Sequence, residues 1–237
     1  MASWPHSVWL VRHGESAGNV ARDAALKANL ARIDLAQRDV DVPLSARGEQ
    51  QAAALGRWFA ALPVAERPTL VLSSPYARAL QTAAAVGAPV ADERLREKEF
   101  GSLDLLTKRG IEETFPQEAA SRAKLGKFYY RPPSGESWCD VIHRLRSVLG
   151  ELQHTYAGER VAIVAHQVVV LCFRYLFEQL TEAQILAIDR EGDVANCSIT
   201  AYGYDPNAIG GRGGLVLQRY NFVAPLEAAG APVTAKP

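Results

Sequence analysis

Three short apolar runs constrain this chain most: "SVWLVR" (7–12), "TLVLSS" (69–74) and "RVAIVAH" (160–166). Each is strand-sized and apolar nearly throughout, which is how a strand buried on both faces of a parallel sheet reads. Each is followed by a helical pattern, over 15–32, 75–86 and 167–179. The second pattern opens at Ser74-Pro75, with proline expected at the first helical position. Two further helices stand out. Residues 46–62, after Ser45, put Ala52, Leu55, Trp58, Phe59 and Leu62 on one face, and residues 136–156 put Val141, Ile142, Leu145, Val148, Leu149 and Leu152 on one stripe. Thr181 and Gln184 fit a capping box. "SITAYGY" and "LVLQRYNF" read as late strands joined by the Gly-rich loop 205–214. Alternating strands and helices imply an α/β domain: a mostly parallel central sheet with helices on both faces and right-handed crossovers. We expect a single domain over 1–225 and a flexible Ala/Pro-rich tail over 226–237.

In an open α/β sheet, ligands bind beyond the carboxyl ends of the strands. The first run ends at Arg12-His13-Gly14. The second ends at Ser73-Ser74-Pro75, with Arg78 one turn into the next helix, and the third ends at His166-Gln167. Two arginines and two histidines would thus meet at one sheet edge, an arrangement that is costly unless an anion neutralises it. A guanidinium fork suits phosphate oxygens, and imidazole can attack phosphorus or donate to it. Gly14 is expected to let the backbone approach a ligand. Metal binding by His13 and His166 is the weaker reading, because the sequence offers no HxH or HxxxH pair and no evident third ligand. Lys plus Arg equals Asp plus Glu, 26 each, so the anion site is local and neither a nucleic-acid nor a polybasic membrane surface is expected. Cys139, Cys172 and Cys197 are odd in number and widely spaced, as free thiols in a reducing cytosol would be. With no signal-peptide pattern and no spanning segment, a cytoplasmic location is expected.

These stretches, taken together, resemble the histidine phosphatase superfamily, the group that includes cofactor-dependent phosphoglycerate mutases and many acid phosphatases. "RHGESAGN" (12–19) resembles the RHGxxxxN signature, and "DVPLSARGEQQAAALG" (41–56) the family's Leu-Ser/Thr-x-x-Gly-x-x-Gln-Ala segment. "SSPYARALQTA" (73–83) resembles its Ser-Pro-x-x-Arg-Ala-x-x-Thr motif, and "LREKEFGSL" (95–103) the segment carrying an acid. "RPPSGESWCDVIHRLR" (131–146) resembles the Pro-Gly-Glu-Ser helix opening, and "VAIVAH" the strand bringing the second histidine. Two departures stand out. Gln167 follows the second histidine where the family usually has glycine, and Leu103-Asp104-Leu105 replaces a frequent Trp-Glu-Gly.

The resemblance implies a phosphoglycerate mutase-like fold with a helical or loop insertion, about 104–135, over the active site. It implies that His13 is the nucleophile, forming a phosphohistidine, and that Arg12, Arg78 and His166 complete the catalytic set. It makes Glu97 the proton donor, with Glu99 as the nearby alternative. Arg12, Asn19, Arg78, His166 and Gln167 would bind the phosphate. The second ring nitrogen of His13 would donate to a backbone carbonyl near Gly14. No cofactor and no metal is implied, because arginine and histidine would supply the positive charge. The expected partner is a small-molecule phosphate ester. Phosphomonoesterase is the favoured activity. Mutase-type phosphoryl transfer and a catalytically silent phospho-ligand binding protein are the alternatives. The insertion carries Lys108, Arg109, Arg122, Lys124, Lys127 and Arg131 but no adjacent Arg-Arg pair of the mutase kind. Neither substrate nor oligomeric state is legible.

Overall fold

A computed structural model describes residues 4–234. The strands are β1 (Ser7–Arg12), β2 (Leu70–Ser73), β3 (Pro89–Ala91), β4 (Arg160–Ala165), β5 (Ile199–Asp205) and β6 (Gly214–Phe222). They form one sheet in the order β3-β2-β4-β1-β5-β6. The pairs β1–β4, β2–β4 and β2–β3 are parallel, whereas β5 and β6 join antiparallel, so the sheet is mixed but mostly parallel. The helices are α1 (Ala17–Lys27), α2 (Ala46–Ala61), α3 (Ala77–Val86), α4 (Lys108–Thr114), α5 (Pro116–Tyr129), α6 (Trp138–His154), α7 (Gln167–Phe177), α8 (Glu182–Glu191), α9 (Ala208–Gly211) and α10 (Ala224–Ala228).

Strand alternation divides the core in two. Val8, Leu10, Val161 and Ile163 face α6 and α7, and fully buried Leu145, Leu152, Leu171 and Phe173 pack on them. Val11, Ala162 and Val164 face α2 and α3, where Leu55, Phe59, Ala79 and Ala83 complete the opposite layer. The parallel register sets Arg12 beside Ala165 and Ser73 beside Val164. The residues just beyond these strand ends are therefore neighbours. Among the described residues no helix is long and apolar enough to cross a membrane.

Several sequence expectations are corrected. The first helix is shorter than 15–32. Ser16 caps it by a reciprocal capping box with Asn19, and it ends before Asn29, whose φ of +51° breaks the helix. Pro75 does not open α3, which begins at Ala77. The expected 136–156 helix is α6, which starts behind a capping box formed by Ser137 and Asp140. The insertion is helical, formed by α4 and α5, and α5 is interrupted at Gly126 (φ +77°).

The expected flexible tail also folds back. Leu226 is fully buried against the α2 layer, Gln51 Nε2 donates to Pro232 O and Thr234 Oγ1 at 2.8 Å, and Thr234 Oγ1 donates to Asn196 Oδ1. Burial of one leucine and a satisfied amide network hold this segment, where the composition suggested little to bury. Residues 235–237 of the expected tail lie outside the described residues.

Gly14 has a different task from the one expected. A Cβ there would lie 2.7 Å from Gly48 O, and a Cβ on Gly48 would lie 1.9 Å from Glu15 O. The two glycines let the loop after β1 press on the first turn of α2, which makes room for backbone rather than for a ligand. Gly48→Ala is expected to cost about 3 kcal/mol through overpacking. Thermal unfolding should show this as a melting point lower by about 10 °C. An unchanged melting point would mean the two segments separate freely.

Candidate active site

The loop after β1 places His13 at the base of a cavity of about 440 Å³, closed on one side by the α4–α5 insertion. His13 is 3% exposed. Its Nδ1 lies 2.7 Å from Gly14 O, so Nδ1 carries the proton and donates to that carbonyl. Nε2 is left with its lone pair, and Arg78 Nε donates to it at 3.3 Å. The expected backbone acceptor near Gly14 is thus present. Burial first, then the charges of Arg78 and Arg12, push the His13 pKa well below the usual imidazole value. The ring is therefore neutral and nucleophilic at physiological pH.

His166 lies at the end of β4 and caps α7. Its ring centroid is 5.1 Å from that of His13. Nε2 pairs with Ser74 Oγ at 2.8 Å, and Nδ1 lies 3.6 Å from Glu97 Oε2 with no hydrogen-bond partner in the protein. Burial, then Arg78 and His13, hold its pKa well below the usual value. Arg12 is 4% exposed and donates through Nη1 to Val194 O, while its buried Nε has no acceptor. Burial, reinforced by Arg22, lowers its pKa to about 10, so it remains cationic at neutral pH.

Glu97 and Glu99 part company. The Glu97 carboxyl lines the cavity, 16% exposed, with Oε1 accepting from Lys98 N. Burial raises its pKa above the usual carboxylate range. Arg78 and the Lys98 N–H oppose that rise, and Asp39 adds to it. Glu99 is exposed outside and accepts from Tyr76 Oη. Asn19 and Gln167 line the cavity as expected. Asn19 Oδ1 is held by Ser16 N, and Gln167 Nε2 donates to Asp193 Oδ1 at 2.8 Å. Each amide is thereby fixed in orientation.

Several residues have parts in this site that the sequence did not assign them. Ser74 orients His166, and Asn196 Nδ2 donates to His13 O, fixing the His13 backbone from behind. Lys98, adjacent to Glu97, and Arg122 and Lys127 of α5 line the cavity on the insertion side. Asp39 sits on Arg78. Glu136 and Arg144 hold the acid loop. Arg144 Nη2 donates to Arg96 O at 2.8 Å and Glu97 O at 3.2 Å, Nη1 to Arg94 O, and Nε to Glu136 Oε1 at 3.0 Å. Glu136 in turn accepts from Arg96 Nη2 and Glu99 N. The motif around Gly135-Glu136-Ser137 marked Glu136 as part of a helix opening. Only the fold shows that it faces the acid loop. Arg144→Met should free Glu97 to drift and lower turnover of esters with poor leaving groups about 10²-fold, the scale of a misplacement near 1 Å. Inhibition by inorganic phosphate should stay unchanged. A matching loss of phosphate affinity would show that Arg144 supports the whole pocket instead.

The strand ends thus gather a neutral imidazole with an unprotonated Nε2, two guanidinium groups and a protonatable carboxyl around one point. The Histidine phosphatase superfamily (branch 1) model matches residues 8–211, and the chain belongs to that superfamily. It is 34% identical over 174 residues to mouse 6-phosphofructo-2-kinase/fructose-2,6-bisphosphatase 1, an alignment covering 73% of this chain and 33% of that protein. A probable fructose-2,6-bisphosphatase of Schizosaccharomyces pombe is 34% identical over 176 residues, covering 74% of this chain and 39% of the relative. The alignments therefore span only about a third of the length of these curated relatives. Among solved structures, the native mycobacterial glucosyl-3-phosphoglycerate phosphatase superposes with a TM-score of 0.71 at 25% identity, covering 92% of this chain and 99% of that one. A putative alpha-ribazole-5'-P phosphatase from Escherichia coli shares the fold, with a TM-score of 0.69 at 20% identity over 92% of this chain and 98% of that one.

Proposed function

We propose that this chain hydrolyses phosphate monoesters through a phosphohistidine on His13 Nε2. The observation that carries the proposal is the pair of buried nitrogens without protein partners, Arg12 Nε and His166 Nδ1, beside a neutral His13 whose unprotonated Nε2 lies at the same cavity. Buried polar groups are almost always paired, so two orphan nitrogens, one of them on a buried guanidinium, point to an anionic ligand. In the first step Nε2 bonds to phosphorus as the ester P–O bond breaks, and Glu97 gives its proton to the leaving oxygen. In the second, water attacks phosphorus, Glu97 takes the proton, and the N–P bond breaks to release phosphate. Arg12, Arg78 and His166 stabilise the equatorial oxygens, with the Asn19 amide beside them and Gln167 at the pocket edge. That positive charge makes a metal ion unnecessary for the step.

The relatives include a fructose-2,6-bisphosphatase and a glucosyl-3-phosphoglycerate phosphatase, and the cavity suits a sugar phosphate. Lys98 and Arg122 on the insertion side favour an ester carrying a second anionic group, whereas Lys127 is already paired with Asp189. The test is phosphate release across a panel of sugar phosphates with a chelator present, beside a phosphoglycerate mutase assay with and without a bisphosphate. Chelator-resistant release of phosphate from one or more sugar phosphates supports the reading. Isomerisation without release would replace it by the mutase reading. Phosphate-ester binding without turnover would replace it by the silent one.

A further inference from the structure

Arg78 already holds an acid. Its Nη1 lies 2.9 Å from Asp39 Oδ1 and donates to Asp39 O at 2.6 Å, and its Nη2 donates to Asp39 Oδ2 at 3.2 Å. With Nε on His13, the guanidinium edge that would receive a phosphoryl group is covered by a carboxylate. The two partners differ in freedom. The Arg78 side chain is 6% exposed and fixed, whereas that of Asp39 is 40% exposed and borders water. Asp39 opens a short 3-10 turn, Asp39–Asp41, in the connection between α1 and α2. The same connection is bonded to the insertion, through Ile33 N to Leu105 O at 2.9 Å and Thr107 N to Ala31 O at 3.1 Å.

We propose that Asp39 is an internal counter-anion, and that a substrate binds by exchanging its phosphoryl group for this carboxylate on Arg78. The inference rests on the reading that Arg78 takes phosphate. A phosphoryl dianion and the Asp39 carboxylate on one guanidinium would place like charges in contact, so Asp39 turns out to water as the ligand enters. Every ligand then loses the Arg78–Asp39 pair, whatever else it carries. Inorganic phosphate, which has no contacts beyond those of the phosphoryl group itself, is held weakly and leaves readily after each cycle. An ester reaching Lys98 and Arg122 offsets the loss with contacts of its own. Because the cost is common to all ligands, Asp39 weakens binding of every phosphoryl group alike and sets how readily phosphate leaves, without changing which ester is preferred.

Asp39→Asn removes the charge and keeps the shape, and Asp39→Ala serves as the second variant should the amide keep a hydrogen bond to Arg78. The probe is inorganic phosphate, titrated calorimetrically into the full chain. Steady-state kinetics on p-nitrophenyl phosphate and on a sugar bisphosphate accompany it. Both variants should bind phosphate on the order of tenfold more tightly. Their KM for the aryl ester and for the bisphosphate should fall by similar factors, with the preference between the two unchanged. Unchanged or weaker phosphate binding in both variants, with wild-type binding measurable, overturns the exchange while leaving the phosphatase reading intact. If neither wild type nor variant binds phosphate or turns over any ester, the reading of the site fails and this inference fails with it.

Discussion

A His13→Ala protein is expected to hydrolyse phosphate monoesters at least roughly 10⁴-fold more slowly than wild type, and to form no covalent phosphoenzyme. The expectation follows from the division of labour around the ring. The Gly14 carbonyl fixes the tautomer, Asn196 holds the backbone, and Arg78 keeps Nε2 aimed into the cavity. Among the described residues, no other group at the base of the cavity combines an unprotonated nitrogen with that placement. His166, the nearest substitute, has Nε2 tied to Ser74 and Nδ1 facing Glu97. The measurement is the steady-state rate on an activated aryl ester, with circular dichroism showing that the variant is folded. Retention of activity within about tenfold of wild type would exclude His13 as nucleophile, because nucleophile loss costs far more than that.

Glu97→Gln should have the second largest effect, and its size should depend on the leaving group. An alkyl or sugar alkoxide needs a proton as the P–O bond breaks, so such esters should slow by about 10²–10⁴-fold. An aryl ester with a stable leaving phenolate should slow much less. The pH profile provides an independent check. Glu97 is raised above the usual carboxylate range, and its protonated form starts the first step, so wild-type kcat/KM for sugar phosphates should fall as pH rises through that raised value. His13 is depressed well below neutrality and should add no loss of activity near pH 6. In Glu97→Gln the fall on the alkaline side should disappear. Equal slowing of aryl and alkyl esters, with the alkaline limb retained, would assign the proton to another group.

The parts of the site carried on strand ends were legible because each is contiguous with a buried run. Arg12, His13 and His166 follow β1 and β4, and Arg78 is one turn into α3. Apolar strands flanked by capped helices leave few topologies, and the parallel register then brings the ends together. What was not legible depends on distant partners. Asp39 pairs with a residue 39 positions away, from a connection without periodicity. The α4–α5 insertion lacks an apolar stripe, and Phe128 is the buried residue of α5, so sequence reads it as lid without shape. Strand β3 is three residues long and mostly exposed, with no pattern to detect. The last turn and tail depend on Leu226 and Thr234, two residues that acquire meaning only beside α2 and Asn196. Glu136 and Arg144 were visible as a motif and a helix residue. Their role depends on backbone carbonyls of the acid loop, which no side-chain pattern encodes.

The most direct test of the phosphohistidine is to quench the wild-type protein within its first turnovers of a ³²P-labelled sugar phosphate and map the label. The account predicts protein-bound phosphate that is labile to acid, stable to alkali, and located on the peptide containing His13. Label on a serine or carboxylate peptide, or steady hydrolysis with no label under conditions that trap a phosphohistidine, would contradict it.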